Sequence, residues 1–294
     1  MPHVIRPRRS VLYMPGSNPR ALEKARTLPA DALIFDVEDA VAPDAKETAR
    51  QMVCEAIRAG GYGKRELIVR VNAPATPWGE ADIAAVAGAG ADAILLPKVE
   101  SAAMVGSVLN MLTAHDAPED LAVWCMIETP RGVLRAEEIA ASPRVAALVM
   151  GTSDLTKELH ARPTRERLPV LPSLGWCLLV GRAYGLVVLD GVHLDLDDDE
   201  GFEYACRQAA DMGFDGKTLI HPKTIAAANA IFAPSPDDIA SARKIIAAHA
   251  QATAQGKGVV VVDGRLIENL HVEEARRVVA LAEAISALET EGSS

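Results

Sequence analysis

The chain alternates short apolar runs with amphipathic helical stretches eight times before its C-terminal part. Most of the runs are almost continuously apolar, which is typical of strands that are buried on both faces. In residues 45–59, Ala49, Val53 and Ile57 repeat at helical spacing and place apolar groups on one face. Eight consecutive strand–helix units predict a protein of the α/β class that folds as a closed (β/α)8 TIM barrel. The predicted strands are residues 11–15, 32–37, 67–71, 93–97, 123–127, 147–150, 186–189 and 217–220.

The segment after the eighth unit has a different pattern. Ser235-Pro236-Asp237 indicates a helix start, and Asp263-Gly264 between two short apolar runs is the two-residue hairpin signal. A helix over residues 271–288 is predicted to follow the hairpin. This segment is too small to fold alone, so we expect it to pack on its own barrel or on a neighbour's. We therefore predict a catalytic barrel over residues 1–234 and a C-terminal lid or oligomerisation extension, built as helix–β-hairpin–helix, over residues 235–294.

Composition and charge exclude several functions. With 294 residues and 49% hydrophobic content, the chain is long enough for one large core. The net charge of −10 argues against binding to nucleic acid or to an anionic membrane. No apolar run is long enough for a membrane span, the N-terminus lacks the apolar core of a signal peptide, and the cysteines show no metal-type spacing. We therefore expect a cytoplasmic protein with free, buried cysteines.

Charged residues stand at the ends of several predicted strands. Because the C-terminal ends of barrel strands meet at one rim, we expect these side chains to lie close together. Crowded carboxylates are costly unless a cation sits among them, and oxygen ligands without Cys or His suit Mg²⁺. The sequence therefore predicts a metal-assisted active site at that rim. The residues in question are Asp36, Glu38, Asp39, Arg70, Glu128 and Asp154.

Seven short segments, in order along the chain, together resemble one enzyme family. They are residues 10–17, 35–41, 70–72, 96–99, 127–130, 151–155 and 220–223. With these motifs the chain resembles the citrate lyase β-subunit-like (HpcH/HpaI aldolase/citrate lyase) family, in the branch of the malyl-CoA and citramalyl-CoA lyases. The resemblance runs from about residue 8 through the hairpin and the helix after it.

The resemblance implies chemistry that agrees with the predicted rim. Such enzymes use Mg²⁺ to cleave or form the carbon–carbon bond between an acyl-CoA enolate and a 2-oxo acid. By this resemblance Glu128 and Asp154 are the metal ligands, and Arg70 stabilises developing negative charge on a substrate oxygen. A surrounding substrate-binding shell is assigned to Asp36, Glu38 and Lys98. For Asp36 a structural hydrogen-bonding role stays open, and for Lys98 an ion-pair role.

One position departs from the family pattern. In the malyl-CoA and citramalyl-CoA lyases the hairpin carries an aspartate after its second strand, which enters the neighbouring subunit's active site. The corresponding residue here is Glu268. The resemblance also implies a homo-oligomer, a trimer or a hexamer. We predict that Glu268 is a catalytic acid or base retuned for a different acyl group, with a structural carboxylate on the lid as the alternative.

The predicted function is a Mg²⁺-dependent carbon–carbon lyase or synthase. Its substrate would be a 3-hydroxyacyl-CoA thioester such as malyl-CoA, citramalyl-CoA or citryl-CoA, and its products an acyl-CoA and a 2-oxo acid. One alternative is the β subunit of a citrate lyase complex, which acts on an acyl-carrier thioester. Two others are a metal-dependent pyruvate aldolase without CoA, and a non-catalytic scaffold barrel.

Overall fold

The computed structural model describes residues 5–256 and 259–291. The barrel strands are β1 (Ser10–Pro15), β2 (Ala32–Asp36), β3 (Glu66–Arg70), β4 (Ala93–Leu96), β5 (Ala122–Ile127), β6 (Val145–Met150), β7 (Val187–Asp190) and β8 (Gly216–Leu219). These strands pair in parallel in chain order, and β8 closes the sheet on β1. The predicted (β/α)8 barrel is therefore confirmed.

Each barrel strand is followed by at least one helix. The helices are α1 (Pro19–Ala25), α2 (Lys46–Ala59), α3 (Gly79–Ala87), α4 (Ala102–Ala114), α5 (Pro130–Leu134), α6 (Ala136–Ala140), α7 (Thr152–Glu158), α8 (Leu171–Ala183), α9 (Asp199–Met212) and α10 (Ile225–Phe232). The side chains of Asn18, Ser101, Thr129 and Asp198 each accept a hydrogen bond from a backbone N–H in the first turn of a helix. These caps fix where the chain leaves the strand ends and turns into the helices.

Two apolar layers hold the barrel together. The larger layer lies between the strands and the surrounding helices. The smaller layer fills the barrel interior and is built from inward-facing side chains such as Ile34, Ile68, Leu95 and Trp124. The interior is therefore packed rather than open, as is typical of this fold. Tyr13 is partly buried and packs against this inner layer near the end of β1.

The C-terminal part forms the predicted helix–β-hairpin–helix. It consists of α11 (Pro236–Ala254), β9 (Val260–Val262), β10 (Arg265–Ile267) and α12 (Asn269–Glu291). Chain contacts divide the described residues into one compact unit, Arg8–Phe232, and a second unit that contains residues 233 onwards together with residues 5–7. The functional division at residue 234 stays a prediction.

Both faces of the hairpin carry apolar side chains. On one face Val262 and Ile267 are buried in a small cluster with Val272 of α12. On the other face Val261 and Leu266 stand opposite each other in register, and both are exposed. A hairpin with an exposed apolar pair is typical of an interaction surface.

The structure bears on two expectations from the composition, which concern membrane spans and the state of the cysteines. No helix within the described ranges is long and apolar enough to cross a membrane. The cysteines at positions 54, 125, 177 and 206 are all free and buried, as expected. Burial raises the pKa of the Cys125 and Cys177 thiols to about 12, so both stay protonated and unreactive near neutral pH.

Candidate active site

The C-terminal rim of the barrel collects the predicted charged residues at or just after the ends of β2, β3, β5 and β6. Asp36 is the last residue of β2, Arg70 is the last residue of β3, and the two are partners in the parallel register. Glu128 directly follows β5, and Asp154 lies in the first turn of α7, just after β6. These four residues, which were predicted from the strand ends, therefore lie at the same rim of the barrel.

Arg70 and Asp36 form a two-point ion pair. Arg70 Nε lies 2.8 Å from Asp36 Oδ1, and Nη2 lies 2.6 Å from Oδ2. The same carboxylate also accepts hydrogen bonds from the backbone N–H groups of Glu38, at 2.9 Å, and Ala40, at 3.1 Å. Four hydrogen bonds to a buried carboxylate favour the structural alternative for Asp36, which shapes the loop after β2 and holds the Arg70 fork.

Glu38 and Asp39 also lie beside Arg70. Arg70 Nη1 is 3.0 Å from Glu38 Oε2 and 3.9 Å from an Asp39 carboxylate oxygen. The Glu38 contact is an ion pair without hydrogen-bond alignment, because Glu38 Oε2 is buried and has no hydrogen-bond partner among the described residues. Burial raises the pKa of Glu38, and the charges of Asp39 and Asp36 add to this against the opposing effect of Arg70.

Glu128 is held from two sides. Its Oε1 accepts a 2.8 Å hydrogen bond from the backbone N–H of Lys98, whose backbone adopts the left-handed conformation at φ 49°. On the other side lies Gly151, where a Cβ atom would come within 2.3 Å of Glu128 Cβ and 2.6 Å of Oε2. A glycine is therefore required at the end of β6 for Glu128 to keep this position. A non-glycine residue in the left-handed region at Lys98 often marks a functional constraint.

The electrostatics of the rim oppose full ionisation of Glu128. Burial raises its pKa to about 7, and the charges of Asp154 and Glu38 add to the effect, while the Lys98 amide and Arg70 counteract it. Burial opposes the charged form of the Lys98 side chain, but Asp154, Glu128 and other rim carboxylates outweigh it and raise the pKa of Lys98. Lys98 therefore stays cationic and contributes positive charge to the rim.

Tyr13 is a rim residue that was not predicted from the sequence. Its ring lies over the Arg70 guanidinium, with 4.8 Å between Arg70 Cζ and the ring centroid. Its hydroxyl oxygen is buried and has no hydrogen-bond partner in the described part of the chain. Leaving a buried hydroxyl unpaired costs about 1–3 kcal/mol. Burial raises the pKa of Tyr13, so the phenol stays a hydrogen-bond donor. Only its inward position at the end of β1 could have indicated it from the sequence.

A second buried cluster was also missed. Asp190, the last residue of β7, pairs with Lys217 of β8 at 2.6 Å and with Arg167, whose Nη1 lies 2.7 Å from it. Burial opposes ionisation of Asp190, but Lys217 and Arg167 outweigh it and lower the pKa of that carboxyl. Arg167 belongs to the irregular segment between α7 and α8, so this ion pair ties that segment to the end of β7.

The carboxylates of Glu128 and Asp154 are the candidate metal ligands. Within residues 5–256 and 259–291 no cluster of three or more His, Cys, Asp or Glu side chains is arranged to hold a metal ion. Glu128 and Asp154 are a pair, and Asp154 raises the pKa of Glu128 through like charge. A pair of carboxylates suits Mg²⁺, which normally keeps several water or substrate ligands. The donor set therefore fits this ion.

Glu268 lies outside the barrel unit. It directly follows β10, its side chain is exposed, and its backbone N–H donates a 3.0 Å hydrogen bond to His271 Nδ1. Its backbone carbonyl also accepts from the first turn of α12. The catalytic role assigned to Glu268 stays a prediction.

We expect Glu128→Gln to change the pH dependence of stability in the metal-free protein. The pKa of Glu128 lies at about 7 in the folded state, against 4.5 for a glutamate exposed to water, so the folded state binds this proton more tightly. The free energy of unfolding should therefore fall as the pH rises through this window. Glutamine keeps an acceptor for the Lys98 amide but cannot ionise, so the variant should be more stable than wild type at pH 8, by up to about 3 kcal/mol.

Urea unfolding at pH 5 and pH 8, with a chelator present, measures this difference. Glu203→Gln is the matched control, because Glu203 is an exposed helical residue paired with Arg207. An identical decline between pH 5 and pH 8 in wild type and Glu128→Gln would show that Glu128 is ionised normally in the metal-free protein.

Comparisons with known proteins identify the family of this chain. The family model for HpcH/HpaI aldolase/citrate lyase matches residues 9–222. A (3S)-malyl-CoA thioesterase of Cereibacter sphaeroides is 52% identical over 287 residues, which cover 98% of this chain and 99% of the relative. A citrate lyase subunit beta of Leuconostoc mesenteroides subsp. cremoris is 36% identical, with coverage of 97% and 96%.

Solved structures give the same result. The crystal structure of CitE from Mycobacterium tuberculosis, in complex with magnesium, acetoacetate and coenzyme A, superposes with a TM-score of 0.74 at 30% sequence identity. The match covers 93% of this chain and 97% of that one. The resemblance inferred from the sequence motifs is confirmed, and the chain belongs to the HpcH/HpaI aldolase/citrate lyase family of enzymes.

Proposed function

We propose that this protein is a Mg²⁺-dependent enzyme that hydrolyses a 3-hydroxyacyl-CoA thioester of the malyl-CoA type. The observation that carries this proposal is the 52% identity, over almost the whole of both chains, to a (3S)-malyl-CoA thioesterase. The Glu128–Asp154 carboxylate pair supports the proposed dependence on Mg²⁺. The substrate class agrees with the sequence analysis, but the reaction differs from the predicted carbon–carbon cleavage. Cleavage to an acyl-CoA and a 2-oxo acid is the second candidate, and the 36% identity to a citrate lyase β subunit favours it.

Glu128 and Asp154 would hold the ion. Glu128 Oε1 is committed to the Lys98 amide, which leaves Oε2 available to the metal. Bound Mg²⁺ would polarise a substrate oxygen as a Lewis acid and neutralise the crowded carboxylates. The residues around the ion position the charged side chains. Gly151 and the Lys98 backbone keep the Glu128 carboxylate in place, and Asp36 keeps Arg70 in place.

In the proposed reaction a water oxygen forms a bond to the thioester carbonyl carbon and the carbon–sulfur bond breaks. The products are the free 3-hydroxy acid and CoA, whose thiolate takes up a proton. Negative charge develops on the carbonyl oxygen in the transition state. Lys98 stays cationic, and Arg70 has one N–H group on Nη2 beyond the one that faces Asp36 and two on Nη1, which lies beside Glu38, so these two side chains can oppose that charge.

We also propose a homo-oligomer, a trimer or a hexamer, in which the hairpin covers a neighbour's site and Glu268 takes part in the chemistry there. The exposed apolar pair Val261 and Leu266, close in sequence to Glu268, supports this assembly.

A cytoplasmic location is proposed as well, because four free, buried cysteines fit a reducing compartment.

The metal assignment predicts a stabilising effect of Mg²⁺. Titration of the wild-type protein should raise its melting temperature, because an ion that binds only the folded state stabilises it by mass action. Asp154→Ala should fold and lose this rise. Asp211→Ala removes an exposed carboxylate near the end of α9 and should keep it. A full Mg²⁺ response in Asp154→Ala and in Glu128→Gln would remove both residues from the metal site.

The reaction is tested by product analysis. Purified protein with Mg²⁺ and (3S)-malyl-CoA should release free thiol and malate in equal amounts, and Asp154→Ala should abolish the release. Formation of acetyl-CoA and glyoxylate instead would identify the carbon–carbon lyase as the correct function. Turnover of CoA-free 4-hydroxy-2-oxo acids alone would favour the pyruvate aldolase, and no turnover of any of these would contradict the enzyme proposal.

The shared site is tested by mixing inactive subunits. Glu268→Gln removes the acid or base from the hairpin, and Asp154→Ala removes a metal ligand from the barrel. If each site joins one subunit's barrel to another's hairpin, random hetero-oligomers should regain about a quarter of the wild-type activity, since half of the barrels and half of the hairpins are intact. A monomer in solution, or a fully active Glu268→Gln oligomer, would exclude the role of Glu268.

A further inference from the structure

The hydroxyl group of Tyr13 is not explained by the packing of the barrel. The ring of Tyr13 lies 4.8 Å from Arg70 Cζ, and a phenylalanine ring could make the same stacking contact. The hydroxyl oxygen adds a buried donor that finds no partner among the described residues. A polar group that weakens the free protein and sits at the functional rim is typical of a ligand-binding residue.

Tyr62 shows how the same barrel accommodates another buried tyrosine. Its ring also packs against an arginine, with Arg26 Cζ 5.5 Å from the ring centroid. The Tyr62 hydroxyl, however, donates a 3.2 Å hydrogen bond to the backbone carbonyl of Leu22. The two tyrosines therefore differ in the one feature that matters here, a protein acceptor for the phenol.

The surroundings of Tyr13 restrict what its partner can be. Arg70, which lies over the Tyr13 ring, is already paired with the carboxylates of Asp36 and Glu38. A ligand carboxylate placed against the Tyr13 hydroxyl would add a further negative charge to this group, which like-charge repulsion disfavours. A neutral oxygen, such as a hydroxyl, accepts the phenol hydrogen without that penalty.

We propose that Tyr13 is a specificity-determining residue, which donates a hydrogen bond to the hydroxyl oxygen of the 3-hydroxyacyl-CoA substrate. This inference rests on the proposed function, because it names the group by which the same site selects its thioester. The hydrogen bond satisfies a donor that is unpaired in the free protein. Removing the phenol oxygen therefore affects the free protein and substrate binding in opposite directions.

The test compares Tyr13→Phe with Tyr62→Phe, each of which removes one oxygen and keeps the ring. Tyr13→Phe should melt at the same temperature as the wild type or higher, since it removes an unpaired buried group. Tyr62→Phe breaks a hydrogen bond and should melt about 2 °C lower. With malyl-CoA and Mg²⁺, Tyr13→Phe should raise KM about tenfold, while Tyr62→Phe should leave KM unchanged.

A second pair of substrates locates the hydrogen bond. Succinyl-CoA lacks the hydroxyl of malyl-CoA, so the wild type should prefer malyl-CoA and Tyr13→Phe should reduce that preference by about the same tenfold factor. Inhibition by free CoA, which lacks the acid part, should be equal in both proteins. The same comparison of (S)-malate with succinate as Mg²⁺-dependent stabilisers of the fold needs no turnover.

Each result decides for or against the proposal. A wild type that hydrolyses malyl-CoA while Tyr13→Phe keeps its KM and its preference over succinyl-CoA overturns the role of Tyr13 and leaves the proposed function intact. A drop in the melting temperature of Tyr13→Phe equal to that of Tyr62→Phe shows that the hydroxyl has a structural partner and also overturns it. A wild type without thioesterase or lyase activity overturns the proposed function, and the malate and succinate comparison then decides the case of Tyr13.

Discussion

The rim of this barrel is organised by the crowding of carboxylates at the ends of β2, β5 and β6. Asp36, Glu38 and Glu128 are each largely buried, and like charge together with burial raises the pKa of both Glu38 and Glu128. Arg70 offsets part of this charge by pairing with the acids after β2, and Lys98 offsets another part beside Glu128 and Asp154. Burial, together with the charges of Asp154 and Glu38, still holds the pKa of Glu128 at about 7. A divalent cation between Glu128 and Asp154, as proposed above, would stabilise such a cluster.

The sequence predicted the members of this rim because the rule that places them is topological. Parallel strands in a closed barrel all end at the same face, so an acid or arginine just after an apolar run needs no side-chain detail to be placed there. Asp36, Arg70 and Glu128 follow from this rule alone. The rule cannot say which atoms meet. That Asp36 takes two donors of Arg70, and that Gly151 must lack a Cβ beside Glu128, depend on distances below 3 Å between residues far apart in the chain.

The residues that were missed share a different property, since their environment is set by partners distant in sequence. Asp190 and Lys217 lie on neighbouring strands, and Arg167 reaches them from an irregular segment. Lys217 in particular is a polar residue within a short strand, and nothing in its own sequence neighbours indicates that its ammonium group is buried. Tyr13 is an aromatic residue inside an apolar run, for which core packing is the natural interpretation, and only its unpaired hydroxyl distinguishes it. Sequence patterns report periodicity and strand ends, whereas these residues are distinguished by hydrogen-bond satisfaction.

The choice between hydrolysis and carbon–carbon cleavage depends on where a proton can be delivered. Cleavage of a malyl-type thioester leaves an acyl-CoA enolate, whose carbon must be protonated by a well-placed acid, whereas hydrolysis needs a water at the carbonyl carbon and no acid at that carbon. In the lyases that this chain resembles, the hairpin aspartate is the group near that carbon. The side chain of Glu268 is longer, so its carboxylate would reach the same point only with a backbone shift of about 1 Å. Errors on this scale can cost about 10²-fold in rate. The proposed metal pair and Arg70 would serve both reactions equally, because each reaction develops negative charge on a substrate oxygen at the same rim. A change confined to the hairpin could therefore convert a lyase into a thioesterase without altering the barrel, and this is consistent with 36% identity to a citrate lyase subunit alongside 52% to a thioesterase.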